Sequence, residues 1–259
     1  MLLRRISTHF KNQDWFAVTL DFLVVVVGIF VGLQVDNWNQ SRVNDNEELL
    51  LLSALAEDFA TNAELLAVVR QQHEDVAYAG QEIITYGESG SVPENERDQF
   101  EAYLSNHGSR FKFNAITSAV DNILGTDKIN LIHSRDLIAE LRRWPQLVTD
   151  LNEAEIASRD HYQERIYPYL ASRIDFEDHD SGFRECCFND PRTGEIKMNR
   201  MEYPWEKEPS NAYVLAQDQE FLNLIYWHWV HSMNILDSLR AVEASLQTIQ
   251  QLVNQELKR

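Results

Sequence analysis

From Trp15 to Val35 the chain is apolar except at Thr19, Asp21 and Gln34. At about 1.5 Å per residue this stretch reaches ~31 Å, the thickness of one hydrocarbon core. Trp15 and Trp38 stand at its two ends, where amphipathic rings favour the headgroup level. Neither Gly nor Pro occurs from Leu33 to Ala79, so one helix is expected to leave the span without a stop. Beyond it Leu52, Leu55, Phe59, Leu66, Val69 and Val76 recur at intervals of three, four and seven. That spacing makes a coiled-coil-like seam.

The stretch "GESGSVPENE", Gly87 to Glu96, is a break, and Pro93 opens a second helical arm that runs to about Leu124 and is interrupted near "NHGS". Ser134, followed by Asp136, reads as the start of a third arm ending near Tyr167. Pro145 is expected to kink that arm and Pro168 to disturb its end. Arg173 to Asn211 is an irregular insertion, holding three of the six prolines and both cysteines. Within it "CCFNDPRTGEIKMN" reads as a small β-hairpin near 185–199. Ala212 to Leu257 again lacks Gly and Pro, with Leu222, Ile225, Trp229, Met233, Leu236, Leu239, Leu246, Ile249 and Val253 marking an apolar face. No arm can bury its stripe alone. The expected fold is all-α: an elongated up–down bundle of four arms on one membrane helix, its C-terminus returning toward the membrane.

Composition narrows the setting. A mean hydropathy of -0.38 is too low for a polytopic membrane protein. The net charge of -18 argues against nucleic acid and against anionic headgroups, since both would be repelled. Arg4, Arg5 and Lys11 precede the span, whereas Asp36, Asp45, Glu47 and Glu48 follow it. The positive-inside rule then places residues 1–14 in the cytoplasm, 15–35 across the membrane and 36–259 outside. A cleaved signal peptide is the rival, but "LQVDNWNQ" after the apolar run has no small-x-small site.

The segment "DFLVVVVGIFVGLQVDNWNQ" (Asp21 to Gln40) resembles the N-terminal signature of a family of bacterial single-pass membrane proteins of uncharacterised function. The shared pattern is an acidic residue, an aliphatic run, Gly-Ile and a Leu-Gln-Val-x-Asn-Trp-Asn exit, and the likeness extends over Leu2 to Arg42. A second patch, "LGTDKINLIHSRDLIAELRRW" (Leu124 to Trp144), is similar to a segment such proteins carry, with "GTDKINLI" where they have Ser/Thr-Gly before Leu-x-Leu-Ile. The resemblance implies a bacterial inner-membrane protein with an extracytoplasmic (periplasmic) helical domain. It implies no activity.

Candidate chemistry is sparse. At 100° per residue Asp21, Val25, Gly28 and Gly32 fall on one stripe, and Gly28–Gly32 is a GxxxG pair. Asp21 can reach the cytoplasmic headgroups, or the stripe can meet a second copy or another membrane protein. A third reading is proton coupling, because the layout also resembles the ion-carrying subunit of stators, which require a polytopic partner. Asp175, Glu177, Asp178 and Asp180, with His179 among them, form either a cation-binding or a solvated acidic loop. His228 shares a face with Phe221, Leu224 and Ile235 and is expected in the core. Trp227 lies on a polar stripe with His231 and either anchors a partner or is covered by the Arg173–Asn211 insertion. Cys186 and Cys187 are adjacent, which suits neither an unstrained disulfide nor a Cys-x-x-Cys redox motif. No nucleophile elbow, phosphate loop or zinc-protease motif occurs, so neither an enzyme nor a cofactor is expected. Two functions follow: a membrane-anchored interaction, scaffold or ligand-binding protein, or an ion-coupled stator-like subunit using Asp21.

Overall fold

The computed structural model describes residues 15–174, 187–189, 196–198 and 211–258. It is an all-α structure in which one helix, α1 (Trp15–Ser89), runs unbroken for 75 residues. At about 1.5 Å per residue α1 is ~110 Å long. Then follow a 3-10 turn (Glu94–Glu96), α2 (Arg97–His107), α3 (Ser118–Leu124), a 3-10 turn (Asp127–Leu131), α4 (Arg135–His161), a π turn (Tyr162–Ile166) and α5 (Tyr167–Ala171). Two three-residue strands, β1 (Cys187–Asn189) and β2 (Ile196–Met198), pair antiparallel with Cys187 opposite Met198. A 3-10 turn (Ala212–Gln217) leads into α6 (Gln219–Glu256). The expected cytoplasmic segment 1–14 and most of the insertion 173–211 lie outside the described residues.

From Phe22 onward the first part of α1 has no other described residue packed around it. Leu20, Phe22, Val25, Phe30 and Val35 are all more than half exposed. Here one N-terminal helix is long and apolar enough to span a membrane. The core begins near Glu48 and Leu51, and the six seam residues Leu52, Leu55, Phe59, Leu66, Val69 and Val76 are all buried.

Three long helices fill the bundle. Gln250 donates to the Phe59 carbonyl (3.1 Å) and Arg70 lies 3.7 Å from Glu243, so α6 runs antiparallel to α1. The Ser245 hydroxyl donates to Glu140 (2.9 Å) while His228 meets Ser158 (3.1 Å), so α6 is antiparallel to α4 as well. Ser134 caps α4 by accepting from the Leu137 amide (3.3 Å). The helix continues through Pro145. Upstream of Pro168, whose ring cannot accommodate a normal preceding turn, the helix widens into the π turn.

The second arm is interrupted at "NHGS", as expected, α2 ending at His107, but the interruption extends to residue 117. It descends along α1, His107 packing at Gly80, Ile116 at Asn62, Ser118 at Asp58 and His133 at Glu48. Its two short helices are joined by a non-helical stretch, 109–117. Length explains the break. Gly80 and Glu48 are 32 positions apart on α1, about 48 Å, whereas the 26 positions from His107 to His133 would span only ~39 Å as a helix. Extended backbone, at ~3.3 Å per residue, supplies the difference.

Extended backbone inside a helical bundle has no ladder to pair with. Side chains of the neighbouring helices serve instead. Asn62, fully buried, accepts from the Ile116 amide (2.7 Å) and donates to the Ile116 carbonyl (2.8 Å). Glu155 accepts from the Phe113 amide (2.9 Å), Asp58 from the Ala119 amide (2.9 Å) and Glu48 from the His133 amide (2.7 Å). Asn62→Ala therefore strands both polar groups of Ile116. It is expected to destabilise the bundle by roughly 2–4 kcal/mol in denaturant unfolding; a loss under about 0.5 kcal/mol would show that the amide pairing does not hold the pass.

Candidate functional site: the polar waist

The apolar core is in two halves. One centres on Phe59, Trp144, Leu137 and Leu246, the other on Ile83, Phe100, Phe221 and Leu215. Between them lies a layer of buried polar side chains: His73, His107, Glu155, Ser158, His228 and Ser232. Each occupies a place where its helix would otherwise put an aliphatic residue. His73 continues the seam four residues after Val69, Glu155 follows Leu151, and His228 and Ser232 stand between Ile225 and Ile235.

A hydrogen-bonded chain crosses this waist. The Val76 carbonyl is 3.0 Å from His107 Nδ1, His107 Nε2 is 2.9 Å from His228 Nδ1, and His228 Nε2 is 3.1 Å from Ser158 Oγ. A carbonyl only accepts, so the direction is set from that end: His107 donates to Val76, His228 donates to His107, and the Ser158 hydroxyl donates to His228. Both rings are neutral in this arrangement. Burial pushes His107 down to about 4, against a partial upward pull from its bond to Val76. Burial also holds His228 well below the usual histidine range, reinforced by His107, His161 and His231. Two glycines make room for the layer. A Cβ at Gly80 would lie 2.4 Å from the His107 ring, and one at Gly108 would lie 2.4 Å from the Tyr162 hydroxyl.

Ser158, His228 and His107 have the connectivity of a nucleophile, a base and an orienting group. The chemistry does not follow from the connectivity. A base held this far down takes up a proton poorly near neutrality. Ser158 also lies inside α4, where neighbouring N–H groups are committed to helical carbonyls and leave no oxyanion hole. What the chain does is orient Ser158, so that its proton faces His228 and its lone pairs are left over.

Beside this chain a cavity of about 170 Å³ lies among α1, α4, α6 and the extended stretch. His73, Asn152, Glu155 and Ser158 line its inner side, and the exposed Arg110, Lys112 and Arg159 its outer side. His73 Nε2, Asn152 Oδ1 and Glu155 Oε2 are buried with no hydrogen-bond partner. His73 Nε2 does sit 3.5 Å from Glu155 Oε1, a distance for charge attraction rather than a normal hydrogen bond. Such groups are costly when left unpaired, which marks the cavity as a place built for something else.

No family model, curated protein or solved structure matches the chain.

Of the residues singled out from sequence, His228 lies at the waist and the others fall elsewhere or lie outside the described residues. Val25 is exposed, and Gly28 and Gly32 have open space beside them, so these three meet no other described residue. Asp21 lies in the backbone of α1 on the same run. Trp227 is 57% exposed, its ring edge-on to Tyr226. His231 is half-buried, 5.2 Å from His161, and burial lowers it, with His161 adding to the effect. His228 is buried in the core. Asp175, Glu177, Asp178, Asp180 and Cys186 lie outside the described residues. Among the described residues no three His, Cys, Asp or Glu side chains are grouped to hold a metal ion. Apart from His228, the waist residues form no motif, because they are polar interruptions of apolar stripes, separated by up to 155 positions between His73 and His228.

The buried histidines make stability depend on pH. An unfolded His107 takes up a proton near 6.5, whereas the folded one resists until about 4. The unfolded state binds more protons across that window, so this residue's contribution is present above 6.5 and is lost as pH falls toward 4, on the order of 3 kcal/mol. The titratable groups facing it are His228 and His161. The unfolding temperature is expected to drop between pH 6.5 and 4, while ring resonances in NMR show His107 still neutral at pH 5. A His107 ring that titrates near 6.5 in the folded protein would contradict this.

Proposed function

We propose that this chain is a membrane-tethered ligand-binding protein. Trp15–Val35 crosses a bacterial inner membrane once, residues 1–14 remain in the cytoplasm, and an elongated up–down bundle stands on the periplasmic side. The observation that carries this reading is that one uninterrupted helix does both jobs. α1 bears the uncovered apolar stretch and, through His73 and Val76, one wall of the polar cavity. The charge difference across the span and the likeness of Asp21–Gln40 to single-pass membrane proteins support the orientation. Because Val25, Gly28 and Gly32 meet no other described residue, the stripe they form with Asp21 is the surface for lateral association with a second copy or another membrane protein. The alternative, an ion-coupled stator-like subunit using Asp21, requires a polytopic partner.

Location is tested with a periplasm-dependent reporter fused after Asn44, which should be active and remain in the membrane after alkaline extraction. An inactive reporter or a released soluble form overturns the tether. In the same membranes Gly28→Leu should weaken crosslinking of the span to its neighbour several-fold; unchanged crosslinking assigns that face to lipid. Ligand binding is tested on the full chain in detergent: a small-molecule cell extract should raise its unfolding temperature by a few degrees, and absence of any shift counts against a ligand.

A further inference from the structure

The two sides of the waist cavity have opposite chemistry. On the inner side the supply of hydrogen-bond acceptors exceeds that of donors. Glu155 uses Oε1 to receive the Phe113 amide and keeps Oε2 without a partner. Asn152 Oδ1 is likewise unpaired. Ser158 has given its proton to His228 and retains only lone pairs. His73 does not repair the shortage, because the contact it makes is with Oε1 and is 3.5 Å long. Whichever nitrogen of His73 carries the proton, Oε2 lacks a donor. Glu155 is only 6% exposed, and an unpaired polar atom so buried is costly.

On the outer side the excess is of donors. Arg110 and Lys112 are exposed and form no ion pair among the described residues, while Arg159 is taken up by Asp160 (2.7 Å). Arg110 and Lys112 are two apart on extended backbone, which sends both side chains to one side. In a chain of net charge -18 this is a locally positive mouth. Val76 and Ile235 add apolar wall.

We infer that the cavity binds a small zwitterion, with its ammonium on Glu155, Asn152 and Ser158 and its carboxylate on Arg110 and Lys112. The chemical class is a free amino acid with a short side chain. A volume of about 170 Å³ holds five or six waters at about 30 Å³ each, or a ligand of roughly six to nine non-hydrogen atoms. Single-ended ions fit less well. A simple carboxylate leaves Glu155 Oε2 unpaired and brings a second negative charge toward it. A simple amine satisfies the inner side but has nothing for the cationic mouth to hold.

This assignment rests on the reading of the bundle as a ligand-binding protein, and the test separates the two. The full chain in detergent is titrated by calorimetry, and its unfolding is followed, with glycine, alanine, serine and γ-aminobutyrate, beside ethylamine and propionate at matched ionic strength. At least one amino acid should bind and stabilise the protein, with ethylamine and propionate at least tenfold weaker. Glu155→Gln keeps an acceptor for the Phe113 amide and removes the charge, so it should retain the circular dichroism of the wild type and weaken binding by roughly ten- to a hundredfold. Asn152→Leu, away from the bonds that hold the second pass, should weaken it as well. Arg110→Ala with Lys112→Ala should lose about tenfold, as expected of a solvent-exposed charge pair. Propionate or ethylamine binding as tightly as the amino acids overturns the assignment, as does Glu155→Gln binding unchanged. So does a panel in which nothing binds. If the cell extract still stabilises the protein in that last case, only the class of ligand is wrong; if the extract also fails, the ligand-binding reading falls with it.

Discussion

A non-helical chain packed against helices must find partners for its own N–H and C=O groups, and in this protein four side chains provide them. Glu48, Asp58, Asn62 and Glu155 reach from α1 and α4 to the backbone of the descending second pass. Without Asn62 and Glu155 the stretch 109–117 would leave the polar backbone groups of Ile116 and Phe113 with nothing to bond, at a cost of one to several kcal/mol each; Asp58 takes the first-turn amide of α3 at Ala119, and Glu48 that of His133. With them the pass is stretched enough to run from the Gly80 level down to the Glu48 level in few residues. The same tether builds the candidate site. Glu155 holds Phe113 with one oxygen and lines the cavity with its carboxylate, while the stretch it holds delivers Arg110 and Lys112 to the mouth.

The polar waist is a cost accepted by an otherwise apolar core. Two hydrophobic clusters would join into one if His73, Glu155, Ser158, His228 and Ser232 were aliphatic. Instead three helices and the second pass each bring polar groups to the same level, and the bonds between them admit only one vertical alignment, as single polar residues do in coiled coils. His107 ties α1 to α6 through Val76 and His228, and Ser158 ties α6 to α4. Register along the bundle is thereby pinned at its middle, where the cavity lies. The wall of that cavity formed by His73 and Val76 is continuous with the apolar stretch of α1 through unbroken helix. Val35 and His73 are 38 residues apart, about 57 Å.

Much of the helical framework was legible in the sequence because periodicity reports it directly. The absence of Gly and Pro after Leu33 pointed to a helix leaving the apolar stretch without a stop, and α1 does so, continuing past Gly80 to Ser89. The seam from Leu52 to Val76 is buried, and Ser134 is the cap of α4. On α6 the picture shifts by one position at the waist. Trp229 and Met233, placed on the apolar face by their spacing, are only partly buried, whereas His228, expected in the core, is buried there together with Ser232, since a satisfied histidine and serine fit where the bonds are. The second pass breaks near "NHGS" and ends before Gly125 as its sequence indicated; the length of the break, 109–117, was not legible, because it is imposed by the distance to be covered along α1, and that distance exists only in three dimensions. Likewise the cavity depends on which interruptions of four separate stripes meet at one height. The interruption at His73 was visible in the seam; its alignment with Glu155 and Ser158 was not.

Hydrogen exchange at the second pass probes the tether most directly. The amides of Phe113, Ile116 and Ala119 donate to Glu155, Asn62 and Asp58, whereas Lys112 and Asn114, alternating with them, have no such acceptor among the described residues. In the full chain the first three should exchange nearly as slowly as amides inside α4, opening only when the bundle unfolds. Lys112 and Asn114 should exchange orders of magnitude faster. Uniformly fast exchange across 109–117 would mean that the side-chain tethers do not hold the pass, and with them the mouth of the cavity would lose its fixed position.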